Sequence, residues 1–209
     1  MELSIVNYEM GLSEEAMQQA KEASEIAERH CGAAEPAASS MDLTQSSLHN
    51  QLDAAKEAMS PMIDLLSENG EQLPVCVYQH FLGGIYQLKG EIEKAIYHCE
   101  VALGIASLLN HSNMLFDIHS TLAQLFFDEG RFDDAHAHIK HAKSHAADCN
   151  DTYRVAQAME MQARIWHGQH RLEEAKSEAL RAVDAFEKLG AAKDVESALK
   201  LVRQIDHDS

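Results

Sequence analysis

Four of the 13 histidines crowd into one short run, AHAHIKHAKSHA, as His136, His138, His141 and His145. On a helix His138, His141 and His145 share a stripe, and His141 and His145 stand one turn apart. Two imidazoles at that separation can chelate a transition metal. No cysteine and no HExxH glutamate completes the site. The neighbouring stripe Ala135, Ile139, Ala142 and Ala146 is the one that must be buried. The expectation is therefore a solvated histidine face without a metal. Histidines titrate near pH 6.5, so acidification offsets much of the formal charge of −17.

The remaining reactive residues argue against catalysis. There is no GxSxG, no phosphate-cradling glycine loop and no Cys/His pair in a recognisable context. Gly83 and Gly84 fall within a helical register. Glu91, Glu93, Asp133, Asp134, Glu173 and Glu174 sit where acidic side chains complement a helix dipole. We read the chain as non-enzymatic and without a cofactor.

Composition narrows the class. With 209 residues, 3 Pro and 10 Gly, and apolar content led by Ala, Leu and Met, a helical protein is favoured. No apolar run of about 18 residues suggests a membrane span, and MELSIVNYEM has no secretory pattern. Cys31, Cys76, Cys99 and Cys149 are scattered, which suits reduced thiols; the expected location is cytoplasmic. Lys and Arg total 17 against 34 acidic residues. That balance repels phosphate backbones and anionic membranes and suits basic partners.

The elements that position these residues repeat. Gln79–Leu103 lies over His119–Lys143 without a gap, and the pattern returns within Glu160–Asp184. Leu82, Leu122 and Gln162 align, as do Gly83, Ala123 and Ala163. Tyr86, Phe126 and Trp166 follow, then Ile92, Phe132 and Leu172. Ala95, Ala135 and Ala175 come next, with Ala102, Ala142 and Ala182 after them. A fixed period of about forty residues marks a repeat architecture.

Each repeat divides into two helices. The first of each pair is expected over Pro74 to Leu88, Ser112 to Glu129 and Thr152 to Gly168. The second is expected over Glu91 to Asn110, Arg131 to Cys149 and Arg171 to Leu189. Turns fall at Lys89-Gly90, Glu129-Gly130 and Gln169-His170. Residues 1–41 are read as an N-terminal helix (Leu12 to Cys31) and a flexible linker. Residues 42–209 are the repeat domain: a degenerate repeat over 42–70, repeats over 74–110, 112–149 and 152–189, and a capping helix over 191–206. Ser60-Pro61 is expected to kink or restart the helix of the degenerate repeat.

These residues resemble the tetratricopeptide repeat (TPR) family, and the long period resembles kinesin light chains and sensor proteins with TPR tails. Two features depart from the family: the period exceeds the usual 34 residues, implying longer second helices, and the repeat-ending Pro is absent. The resemblance implies an all-α, right-handed superhelical stack of antiparallel helix hairpins with a C-terminal capping helix. It also implies a concave groove, lined by the first helix of each pair, that binds a peptide or partner helix. Carried onto this chain, the groove positions are Val77, His80, Gly84 and Gln87, then Asp117, Ser120, Gln124 and Phe127, then Gln157, Glu160, Arg164 and His167. Only Arg164 is cationic among the positions that would clamp a carboxylate, which argues against that mode. Asp117, Asp128 and Glu160 suit a basic or mixed peptide. The alternative is a self-associating module or the repeat tail of a larger sensor, forming a homo-oligomer.

Overall fold

In the computed structural model the described residues, 38–208, form eight consecutive helices. These are α1 (Ala38–Glu68), α2 (Gln72–Leu88), α3 (Ile92–Leu108), α4 (Ser112–Asp128), α5 (Phe132–Asp148), α6 (Thr152–Gly168), α7 (Leu172–Leu189) and α8 (Ala192–Asp208). The chain divides into two compact units within α3, after His98. The expected helix at Leu12 to Cys31 lies outside the described residues, as does most of the linker; α1 already begins at Ala38.

The repeat is sharper in the backbone than in the sequence. Every connection has a left-handed residue at the same place: Gly70, Gly90, Asn110, Gly130, Asn150, His170 and Gly190. At each, the left-handed residue donates its N–H to a carbonyl three residues back, and the next N–H reaches five back, as in His170 to His167 and Arg171 to Trp166. These paired bonds satisfy carbonyls that a helix end otherwise leaves open. The following helix then begins within a residue or two.

Helices α2 to α6 and α8 are each 17 residues long, and α7 has 18. The expectation of longer second helices is thus corrected: the extra residues are shared between both helices of a hairpin. Helices α3 and α5 stop at Leu108 and Asp148, before the expected Asn110 and Cys149, because the left-handed turn closes them first, whereas α7 ends at the expected Leu189. Pro61 causes no restart, and α1 runs through it to Glu68. The proline withholds one N–H and clashes with the preceding turn, yet Leu52, Ala55 and Met59 before it and Met62, Ile63 and Leu66 after it share one apolar cluster with Tyr78, Leu82 and Ile85 of α2.

In the second unit the core is built from alanine against larger side chains. Ala163, Ala175 and Ala179 meet Leu201, Val202 and Ile205, and Ala156, Ala182 and Ala198 surround Phe186. Small residues there let α6, α7 and α8 approach closely. Helix α8 repeats the register of α6 forty residues on, so the capping helix is built as a first helix. It turns Ala198, Leu201, Val202 and Ile205 inward and leaves Lys193, Glu196, Lys200 and Arg203 in solvent.

The repeated aromatics pack differently from a simple filler between repeats. Tyr86 stacks on His98 at 5.1 Å and Phe126 on His138 at 5.2 Å, each within its own hairpin. Trp166 instead lies 6.3 Å from His136 of the preceding hairpin. The reason is the residue at the equivalent position: His98 and His138 give way to Glu178.

Two substitutions test the turn and packing account in opposite directions. His170 is exposed and holds φ 58°, a region that disfavours side chains by about 1–2 kcal/mol. His170→Gly should raise unfolding stability by about 1 kcal/mol in urea titration. Gly168→Ala should lower it by about 1–3 kcal/mol, since a methyl there would sit 2.6 Å from the Phe132 ring.

Candidate interaction surface and a histidine cluster

The first helices of successive hairpins in the second unit, α4, α6 and α8, are tied side by side through polar contacts. Arg154 of α6 donates to Asn113 Oδ1 at 2.9 Å and reaches Asp117 Oδ1 at 3.1 Å, with its guanidinium 4.9 Å from the Phe116 ring. Between α6 and α8, Tyr153 donates to Asp194 at 3.2 Å and Ser197 donates to Glu160 at 2.7 Å. His167 Nε2 lies 2.9 Å from Asp208 Oδ2. Local signals place these groups. His111 Nδ1 and Asp151 Oδ1 accept backbone N–H groups at the starts of α4 and α6.

The twelve groove positions all lie on first helices, and none is fully buried. Val77, His80, Gly84 and Gln87 belong to the first unit. Burial pushes the His80 imidazole down to about 4. The other eight share the second unit. Asp117 is held by Arg154, Gln124 donates to Asp128 at 2.6 Å, and Glu160 and His167 are tied to α8. Ser120 keeps a buried hydroxyl without a hydrogen-bond partner. Gln157 is exposed.

Phe127 and Arg164 come together. The Arg164 guanidinium lies 6.0 Å from the Phe127 ring, and the ring rests on Phe132 at 5.7 Å. Arg164 is exposed, and among the described residues no carboxylate pairs with it. Sequence reasoning missed Arg154, Asn113, Tyr153, Asp194 and Asp208. Their signal was positional: partners on adjacent first helices are one period apart, give or take a few residues.

The histidines depart from expectation. His138, His141 and His145 do not form a simple solvated stripe, because α4 presents His119 to them. His119 is buried, with its Nδ1 2.9 Å from His138 Nδ1. Its ring centroid lies 5.1 Å from those of His138 and His141 and 5.8 Å from that of His145. Only His141 is exposed. His136 faces α6, with Nδ1 2.8 Å from Gln162 Nε2. Burial, then the three neighbouring imidazoles, pushes His119 down to about 4. Among the described residues no group of three or more His, Cys, Asp or Glu is arranged to hold a metal ion.

Cys76 and Cys99 are buried and Cys149 is exposed; burial pushes the Cys99 thiol up to about 12. Elsewhere in the second unit a cavity of about 580 Å³ is lined by Val155, Met159, Ala185 and Leu189 with Arg181 and Lys188. It includes none of the groove positions.

Neither a protein-family model nor a curated protein matches the sequence. Solved structures do. A Podosopora anserina putative kinesin light chain with nearly identical TPR-like repeats superposes with a TM-score of 0.54 at 16% identity, over 79% of this chain and 94% of that one. Its Q17M form gives 0.54 at 15% identity, over 83% and 98%. BtubC (BKLC) from P. vanneervenii gives 0.52 at 14% identity, over 93% and 89%. The fold is that of TPR-like repeats. Its all-α hairpins pack in sequence order, as the resemblance implied.

The pairing of Arg154 has a measurable consequence. Burial raises the Asp117 carboxyl above its usual range and Arg154 pulls it back part of the way. Arg154→Ala should raise that pKa further, read by carbon NMR of the carboxyl, and cost about 1 kcal/mol at neutral pH. An unchanged titration would contradict the linkage.

Proposed function

We propose that this TPR-like chain is a non-enzymatic protein-interaction scaffold whose first helices capture a peptide or partner helix. The observation that carries the reading is the Phe127–Arg164 pair. An aromatic ring and an arginine lie together on adjacent first helices, and among the described residues no carboxylate occupies the guanidinium. Aromatic and arginine side chains tend to dominate interface energy, whereas Asp117, Glu160 and His167 are already committed to neighbouring helices.

The ligand we favour is a peptide of mixed or basic character. Net charge of −17 raises the encounter rate of cationic segments, while Arg164 supplies one anchor for an acidic or carbonyl group. Nucleic acid is disfavoured by the same charge. No described helix is long and apolar enough to cross a membrane, and we assign the protein to the cytoplasm.

A second copy of the chain is the other occupant we consider. Leu108 is 83% exposed beside the exposed Leu109 at the end of α3. Sedimentation at micromolar concentration separates the readings: a monomer leaves peptide capture ahead, and a dimer that Leu108→Ser dissociates favours self-association.

Phe127→Ala with Arg164→Ala should weaken recovery of the natural partner at least about ten-fold, since each such anchor contributes more than about 1 kcal/mol. Circular dichroism should stay unchanged. Undiminished recovery by the double variant would remove these residues from the binding site.

A further inference from the structure

The hairpin α4–α5 holds a feature that the scaffold role does not use. A buried imidazole is surrounded by three others, all from α5. We propose that His119, His138, His141 and His145 form a proton-operated latch, closed while the rings are neutral and loosened when they take up protons.

The geometry argues for this first. His119 and His138 bring ring nitrogens to 2.9 Å. At that separation one nitrogen must donate and the other accept, so the contact exists only while at least one ring is neutral. His141 and His145 stack on the same buried ring, so each proton added to the cluster repels the next. His141 is exposed and gives protons a way in. The Phe126 ring on the His138 side offers no counter-charge beyond its π face.

The surrounding charges do not neutralise a protonated cluster. His138, His141 and His145 all hold the His119 proton affinity down. Asp134 of α5 pulls His138 the other way, but its carboxylate is engaged by Arg131, and burial and His141 outweigh it. From α6, Arg154 adds a cation beside α4, matched by Asp117. Gln162 of α6 meets His136 and not the cluster.

The repeat supplies an internal comparison. At the positions one period earlier, Gln79 meets His98 Nδ1 at 2.7 Å in the hairpin α2–α3. A glutamine–histidine pair therefore fits this slot and bonds without gathering like charges. One period later the residues are Met159 and Glu178, with Glu178 held by Lys143 and Arg181. Only the middle hairpin, among the described residues, gathers imidazoles around the slot.

The direction of the pH effect follows. His119 binds its proton more weakly in the folded hairpin than in the open chain. Below about pH 6.5 the open form takes up more protons, and acid draws the hairpin open. The loss accrues from about 6.5 down to about 4 and then levels off. A shift of that size in one group corresponds to at most about 300-fold in the opening equilibrium.

Amide hydrogen exchange over residues 112–148, corrected for intrinsic rates, tests the latch at pH 7.5 and pH 5.0. The full chain should lose protection there by roughly 30-fold, and His119→Gln should lose less than a tenth as much. His141→Ala, an exposed change that does not threaten folding, should blunt the acid loss by removing one repelling ring. Equal acid sensitivity in the parent and either folded variant would overturn the proposal. So would a His119 ring that titrates near 6.5 by nitrogen NMR.

Discussion

The left-handed turn residue is the constraint on which the architecture rests. Seven times, from Gly70 to Gly190, the chain enters the left-handed region one or two residues past a helix. There two backbone N–H groups close the open carbonyls of the last turn. Because the stop recurs at a fixed interval, helices of nearly one length face each other. The same side chains then meet in every hairpin. Ala95, Ala135 and Ala175, and Ala102, Ala142 and Ala182, are all wholly buried as a result. Such a turn needs no partner elsewhere, so the repeat survives where the side chains around it have diverged. Asparagine and histidine in place of glycine at three of the seven turns show how much local strain the packing tolerates.

On this regular backbone the chain varies one interior position. His98, His138 and Glu178 are equivalent, and each places a polar group at a helix interface. A buried polar group is costly unless it is paired. The three solutions are a glutamine, a second histidine, and a lysine–arginine pair. The scaffold is indifferent to which is chosen, but the chemistry is not. Acid affects the histidine pair most, and salt acts on the Glu178 pairs.

Much of the fold was legible because alanine, aromatic and turn residues recur in register. Pairing of the aromatics was not legible: Tyr86 and Phe126 stack within their own hairpins because His98 and His138 lie opposite, which requires knowing where the second helix crosses. The unbroken passage of α1 through Pro61 depends on its apolar cluster with α2, a tertiary effect that local signals cannot carry. The role of His119 was not legible, since nothing in its own helix points to the histidines of α5. The proposed surface positions fall on first helices as expected, but the contacts of their side chains were not legible. Asp117 and Glu160 read as free acidic groups in sequence, whereas Arg154 and Ser197 engage them.

What distinguishes an interaction scaffold from an inert stack is whether one face is used. The most direct test is site-specific photo-crosslinking with a benzophenone amino acid in the full chain. It would be placed at Arg164 or Gln157 on α6 and, as a control, at Ser177 on the solvent side of α7. The account predicts crosslinks to one partner from the α6 positions and none from Ser177. Equal labelling from both faces, or labelling from α7 alone, would contradict it.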